Sequence, residues 1–189
     1  MSAGSHATVV RPAPELRLLD ECSTPPVRQV IGDFMAGAER VDFAIARIRL
    51  ANLDLSEEEV SGPSRCRVLL GQLDASTLLD TDAADRAAVE GLIRWARSGR
   101  LLVRSAGIGA WTPDFSVYHT ADGGTCLVGA HYFGSPHLTV GPSFTAVTTE
   151  PEARVLLGRR FGELWGRSHD VLPAIVGVLE QVRGVARSA

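Results

Sequence analysis

Residues 41–50 read Val-Asp-Phe-Ala-Ile-Ala-Arg-Ile-Arg-Leu, almost continuously apolar in the first half and alternating with arginine in the second. A continuous apolar run suits a strand covered on both faces, and alternation suits one half exposed. The pattern therefore predicts a buried strand that emerges toward solvent, with Arg47 and Arg49 on the same side. A second run at residues 66–70, Cys-Arg-Val-Leu-Leu, ends at Gly71 and predicts another central strand.

Helical periodicity alternates with these strands. After a first ordered element at residues 16–19, Thr24-Pro25-Pro26 offers a capping hydroxyl followed by prolines, and Val27, Ile31, Phe34 and Met35 then recur on one face up to a stop near Gly37. Residues 82–98 form the clearest amphipathic pattern, with Ala88, Leu92, Trp95 and Ala96 on one face and Gly99 as terminator. A short acidic helix is expected at 56–60 and a strand at 101–103. Thr120-Ala121-Asp122-Gly123-Gly124 is a hairpin turn between strands at 115–119 and 126–129. A strand at 144–147 precedes a helix after Pro151 carrying Val155, Leu156, Phe161, Leu164 and Trp165, and residues 172–185 make a final, largely apolar helix. Strands interleaved with helices, then a hairpin, then helices, describe an α/β sandwich with a mixed central sheet. We expect one domain over residues 15–189, preceded by a flexible arm at 1–14.

Composition removes several chemistries. All 19 basic residues are arginine, so no lysine amine exists for Schiff-base formation or for a phosphate loop ending in lysine. The net charge is −3 with a pI near 5.9, which argues against a broadly basic nucleic-acid binder while leaving room for a local arginine patch. Cys22, Cys66 and Cys126 are widely spaced and read as small core residues in a reducing compartment. Neither a signal-length nor a membrane-length apolar run occurs, so a soluble, cytoplasmic protein is expected.

Four stretches resemble one lobe of the phospholipase D superfamily. Residues 26–50, with Arg40-Val41-Asp42 leading into the Ala-rich run, resemble the opening helix and strand. Arg67-Val68-Leu69-Leu70-Gly71 resembles the second strand, residues 114–131 take the place of the catalytic strand-turn-strand, and residues 150–165, ending in Phe161-Gly162-Glu163-Leu164-Trp165, resemble the closing helix. The resemblance implies a phospholipase D-like α/β sandwich with helices on both faces. It also implies a catalytic motif of His-x-Lys, an Asp five residues beyond the Lys, and Gly-Ser-x-Asn on the next strand. Here Asp114-Phe115-Ser116 stands for His-x-Lys, Ala121-Asp122 falls where the Asp is expected, with Ala121 at the matching spacing and Asp122 one residue late, and Gly129-Ala130-His131-Tyr132 stands for Gly-Ser-x-Asn, so only Gly129 is kept in place.

In that mechanism an imidazole attacks phosphorus while the lysine neutralises charge developing on the phosphoryl oxygens. A carboxylate such as Asp114 is repelled by a phosphate anion, and Ser116 carries no positive charge. The expected outcome is a catalytically inactive domain that binds or scaffolds, in a bacterial DNA-processing or antiviral defence setting. Single-lobe members of the family imply a homodimer or pairing with another lobe.

The alternative is a divergent phosphodiesterase or nuclease that recruits His131 or His119, with arginines replacing the lysine. The plainer reading of these rings, and of His137, is structural. Ligand-binding candidates are Arg47, Arg49, Arg104, Trp111, His119 and His131, with Arg154 as a further arginine for an anion cleft; surface ion pairing is the plainer reading of the arginines. An aromatic filling of the vacated cleft by Trp111, Tyr118, Tyr132 and Phe133 is expected. No spacing supports a metal site, and no cofactor is expected.

Overall fold

The computed structural model describes residues 15–20, 22–47, 62–72, 86–107, 114–129 and 145–188. These form an eight-stranded sheet. Its strands are β1 (Leu16–Leu19), β2 (Arg40–Arg47), β3 (Arg65–Gln72), β4 (Leu101–Ser105), β5 (Phe115–Thr120), β6 (Gly123–Val128), β7 (Thr145–Thr148) and β8 (His169–Asp170). The spatial order is β1-β7-β6-β5-β2-β3-β4-β8. β2, β3 and β4 run parallel and every other pairing is antiparallel, so the sheet is mixed.

Among the described residues four helices cover it: α1 (Val27–Gly37), α2 (Arg86–Arg97), α3 (Pro151–Arg167) and α4 (Leu172–Ser188). α1, α2 and α4 share one face. Val30, Ile31 and Met35 of α1, Ile93 and Trp95 of α2, and Ile175 and Leu179 of α4 are buried there against Val41, Phe43, Ile45, Val68, Leu70 and Leu101. Among the described residues α3 alone packs on the other face, where Phe161 is buried against Ala44, Leu69, Phe115 and Val117. Full burial of side chains such as Phe161 and Met35 contributes about 1.5–3 kcal/mol each.

Several expectations require correction. Thr24 does not cap α1: Pro26 occupies the N-cap with no side-chain hydrogen bond, because its φ of −57° and ψ of 147° keep both prolines in the extended entry. On α3 the inward residues are Leu157, Phe161, Leu164 and Trp165, at helical spacing, while Val155 and Leu156 fall outside that stripe and are exposed. Cys66 and Cys126 are buried, but Cys22 is exposed. The hairpin is tighter than expected, with only Ala121 and Asp122 between β5 and β6. The expected helix at 56–60 and the flexible arm at 1–14 lie outside the described residues, as do positions 48–50, 82–85 and 144 at the margins of expected elements.

Candidate functional site

The two ends of the parallel strands differ in chemistry. Where β2, β3 and β4 end, β5 begins, and Asp114 faces Gly129 across the hairpin through a Gly129 N–H donated to the Asp114 carbonyl at 3.0 Å. The Asp114 carboxylate is also engaged: Oδ1 accepts the N–H of Ala46 at 2.6 Å, extending the β2–β5 ladder by one side-chain bond. Burial pushes its pKa up, and the Ala46 hydrogen bond only partly counters this. Ser116 lies two residues on, 6% exposed, paired with Phe43 and Leu127 and facing the α1 side. A lysine-like reach into solvent is closed to that position. Asp122 sits exposed in the turn at the opposite end of the hairpin, so the motif positions Asp114 and Asp122 do not converge.

Arg47 ends β2 beside Gln72 of β3. Arg104 donates from Nη1 to the Trp165 carbonyl at 3.0 Å and lies over the Trp165 ring at 4.9 Å, tying α3 to β4. Arg154 reaches Gly123, where a Cβ would stand 2.5 Å from its Nη1. Its charge also acts on Cys126, whose thiol burial pushes up to about 11 while Arg154 pulls it down. Tyr118 does not fill a cleft: it is buried beneath α1, its ring 5.5 Å from that of Phe34 and 5.9 Å from that of Phe43. Arg49, Trp111, His131, Tyr132, Phe133 and His137 lie outside the described residues.

At the other end, where β2 and β3 begin and β5 finishes, a buried charge cluster gathers around Asp42, 1% exposed. Arg67, its register partner in β3, grips both carboxylate oxygens, from Nε at 2.6 Å and Nη2 at 2.7 Å. His119 Nε2 lies 3.0 Å from Oδ2, and Arg40 Nε lies 3.6 Å from the same oxygen. Burial would raise the pKa of Asp42, but the hydrogen bonds from His119 and Arg67 and the charges of Arg67 and Arg40 hold it below the ordinary carboxylate range. An ionised carboxylate only accepts, so His119 Nε2 must donate to it, and Arg40 Nη2 lies against the same ring, 3.0 Å from Nε2 and 3.2 Å from Nδ1. Arg67 also lies 4.8 Å from the Phe161 ring centroid and 5.3 Å from that of Trp165, so α3 closes over the ion pair.

Of the sequence candidates among the described residues, only His119 belongs to this cluster. Asp42, Arg67 and Arg40 went unassigned, although each carried a signal: a lone carboxylate inside an apolar strand needs a buried partner, and Arg67 is the one cation inside the second apolar run. Among the described residues no three His, Cys, Asp or Glu side chains form a metal-ligand set. No described helix is long and apolar enough to cross a membrane.

No protein-family model matches the chain, and no curated protein matches it. Solved structures do. The phospholipase D family member Nuc from Salmonella typhimurium superposes with a TM-score of 0.52 at 12% identity, covering 83% of this chain and 97% of Nuc. NucT from Helicobacter pylori gives a TM-score of 0.57 at 9% identity, covering 83% of this chain and 99% of NucT. TrmBL2, an archaeal chromatin protein described as showing a novel mode of DNA binding, gives 0.54 at 10% identity, covering 82% of this chain and 53% of its own.

Proposed function

We propose that this chain, which has the phospholipase D-like fold, acts as a noncatalytic binding subunit that pairs with a second lobe in a DNA-associated assembly. The observation that carries the reading is Ser116: the position that the fold's chemistry would give to lysine is a buried hydroxyl between Phe43 and Leu127. Asp114, in the place of the attacking histidine, is bound to a backbone N–H. The Asp114 carboxylate is repelled by a phosphate anion and so is a poor replacement for an attacking imidazole, and the Ser116 hydroxyl carries no charge to neutralise a phosphoryl oxygen. A DNA-associated role draws on TrmBL2, a neighbour described by its DNA binding.

Pairing draws on exposed apolar surface. Leu16 and Leu18 alternate with buried Leu19 and so face the α3 side, as do Val128 and, on α3 itself, Val155 and Leu156. These five are large hydrophobic side chains left in water on one face, where a second subunit would cover them.

Purified protein incubated with bis(4-nitrophenyl) phosphate and with single- and double-stranded DNA tests the reading. No turnover above buffer is expected, together with a dimer by light scattering that Leu18→Glu dissociates. A second reading, a displaced phosphodiesterase, rests on His119, whose ring is oriented by Asp42 and whose side chain is 25% exposed beside Arg40. Turnover abolished by His119→Ala would select it.

A further inference from the structure

We propose that a row of basic side chains, Arg40 and Arg65 flanked by His119 and continued by Arg100, is a docking strip for a nucleic-acid phosphodiester backbone. The row lies at the edge where β2, β3 and β4 begin, opposite the Asp114 end. It follows from strand register. His119 of β5 pairs with Arg40 of β2, and Arg40 pairs with Arg65 of β3. Arg100 precedes the Cys66–Leu101 pair and accepts the Cys66 N–H on its carbonyl at 2.8 Å, which places it next to Arg65. Laterally paired residues share a sheet face, and strands lie about 4.8 Å apart, so the four basic residues span roughly 14 Å.

The local charge is positive although the chain carries −3. Asp42, one pair further into the sheet, is matched by the two-point grip of Arg67, so the second guanidinium beside it, Arg40 at 3.6 Å, brings positive charge in excess of that single carboxylate, and Arg65 lies next to Arg40 in register. Glu39 and Asp122 border the strip as exposed acids, and Arg154 stands beside Gly123. Along the strip itself four arginines (Arg40, Arg65, Arg67, Arg100) stand against three carboxylates (Asp42, Glu39, Asp122), while Arg154 shares the first turns of α3 with Glu150 and Glu152.

The strip is also accessible and partly preordered. Arg65 is exposed, the Arg40 side chain is 42% exposed, and the Asp42–His119–Arg40 contacts hold one end in place. Arginines at laterally paired strand positions suit repeated phosphates, which guanidinium groups can clamp through paired hydrogen bonds. No aromatic side chain belongs to the row, so recognition is of backbone and not of base sequence. The strip rests on the DNA-associated part of the reading above, while its occupancy does not depend on whether the chain hydrolyses phosphodiesters.

Fluorescence anisotropy with labelled single-stranded and duplex DNA of unrelated sequences, across a salt series, tests it. Arg65→Gln and Arg40→Gln should each weaken binding about fivefold on every sequence and flatten the salt slope by about one. Arg159→Gln, an exposed arginine of α3, makes the same charge change elsewhere and should leave affinity unchanged. Arg65 is a surface side chain, so its variant decides the matter even if Arg40→Gln loosens the Asp42 cluster. The proposal fails if wild-type protein binds no DNA, if Arg65→Gln binds normally, or if Arg159→Gln loses as much. Displacement of DNA by polyglutamate at equal charge concentration would assign the strip to an acidic protein segment and overturn it equally.

Discussion

Asp42 and Asp114 are two carboxylates at opposite ends of the same pair of strands, and their environments push them in opposite directions. Asp42 is the more buried, yet two guanidiniums and an imidazole keep its pKa below the ordinary value. Asp114 is less buried, has a single N–H for a partner, and its pKa is raised. Depth alone does not decide whether a carboxylate ionises in a protein; the number and charge of its donors do. The same contrast separates an end of the sheet built around charge from one where the carboxylate closes a backbone ladder.

The largest test of that contrast is Asp42→Ala. It strands the Arg67 guanidinium beneath α3, and removal of one partner of a buried ion pair costs about 3–5 kcal/mol. Urea denaturation should show this loss, and Asp42→Ala combined with Arg67→Met should be less damaging than the two single losses added together. A cost under about 1 kcal/mol for Asp42→Ala would mean the cluster contributes little.

Gly124→Ala comes next. Gly124 lies opposite His119 with φ of +134°, and an added Cβ would meet the Tyr118 carbonyl at 2.0 Å, so the hairpin must shift. A loss of about 1–3 kcal/mol is expected by thermal or chemical denaturation. Asp114→Asn should be milder, within about 1 kcal/mol of wild type, because the amide oxygen still accepts from Ala46.

The smallest effect, and the sharpest for the comparison, is in pH. Asp42 has a lowered folded-state pKa, so its contribution is complete above the unfolded value of about 3.9 and disappears as pH falls through the folded value. Asp114 has a raised one. Its ionisation disfavours the fold above the raised value, and acidification from there down to about 3.9 relieves that penalty. Melting temperatures across mildly to strongly acid pH should therefore fall less steeply in Asp42→Asn than in wild type, and lose a small acid-side gain in Asp114→Asn. Identical profiles for all three proteins would erase the distinction.

Much of the architecture was legible in local pattern. The periodicity at 27–37 and 172–185 and the continuous runs at 41–45 and 66–70 mark elements that form where expected, and the turn signal at 120–124 locates the hairpin although the turn itself is shorter. Each signal is contained within a short stretch of chain, where period and turn chemistry act. Val155 and Leu156 misled because α3 has apolar residues on more than one side, and only packing on Phe115 and Leu69 selects the stripe through Phe161.

The Asp42 cluster was illegible for a different reason. Its members are distant in the chain, with His119 77 residues from Asp42 and Arg67 25 residues from it. Register alone sets them side by side. The sequence by itself determined that this chain makes alternating strands and helices and that it has no lysine for phosphoryl chemistry, because both are properties of residue identity and local spacing. Only the tertiary structure decided that Ser116 is buried, that Arg104 is tied to Trp165, and that Arg40, Arg65 and His119 stand in one row. Strand pairing brings residues from distant parts of the chain within 5 Å of one another, and no local pattern encodes which ones will meet.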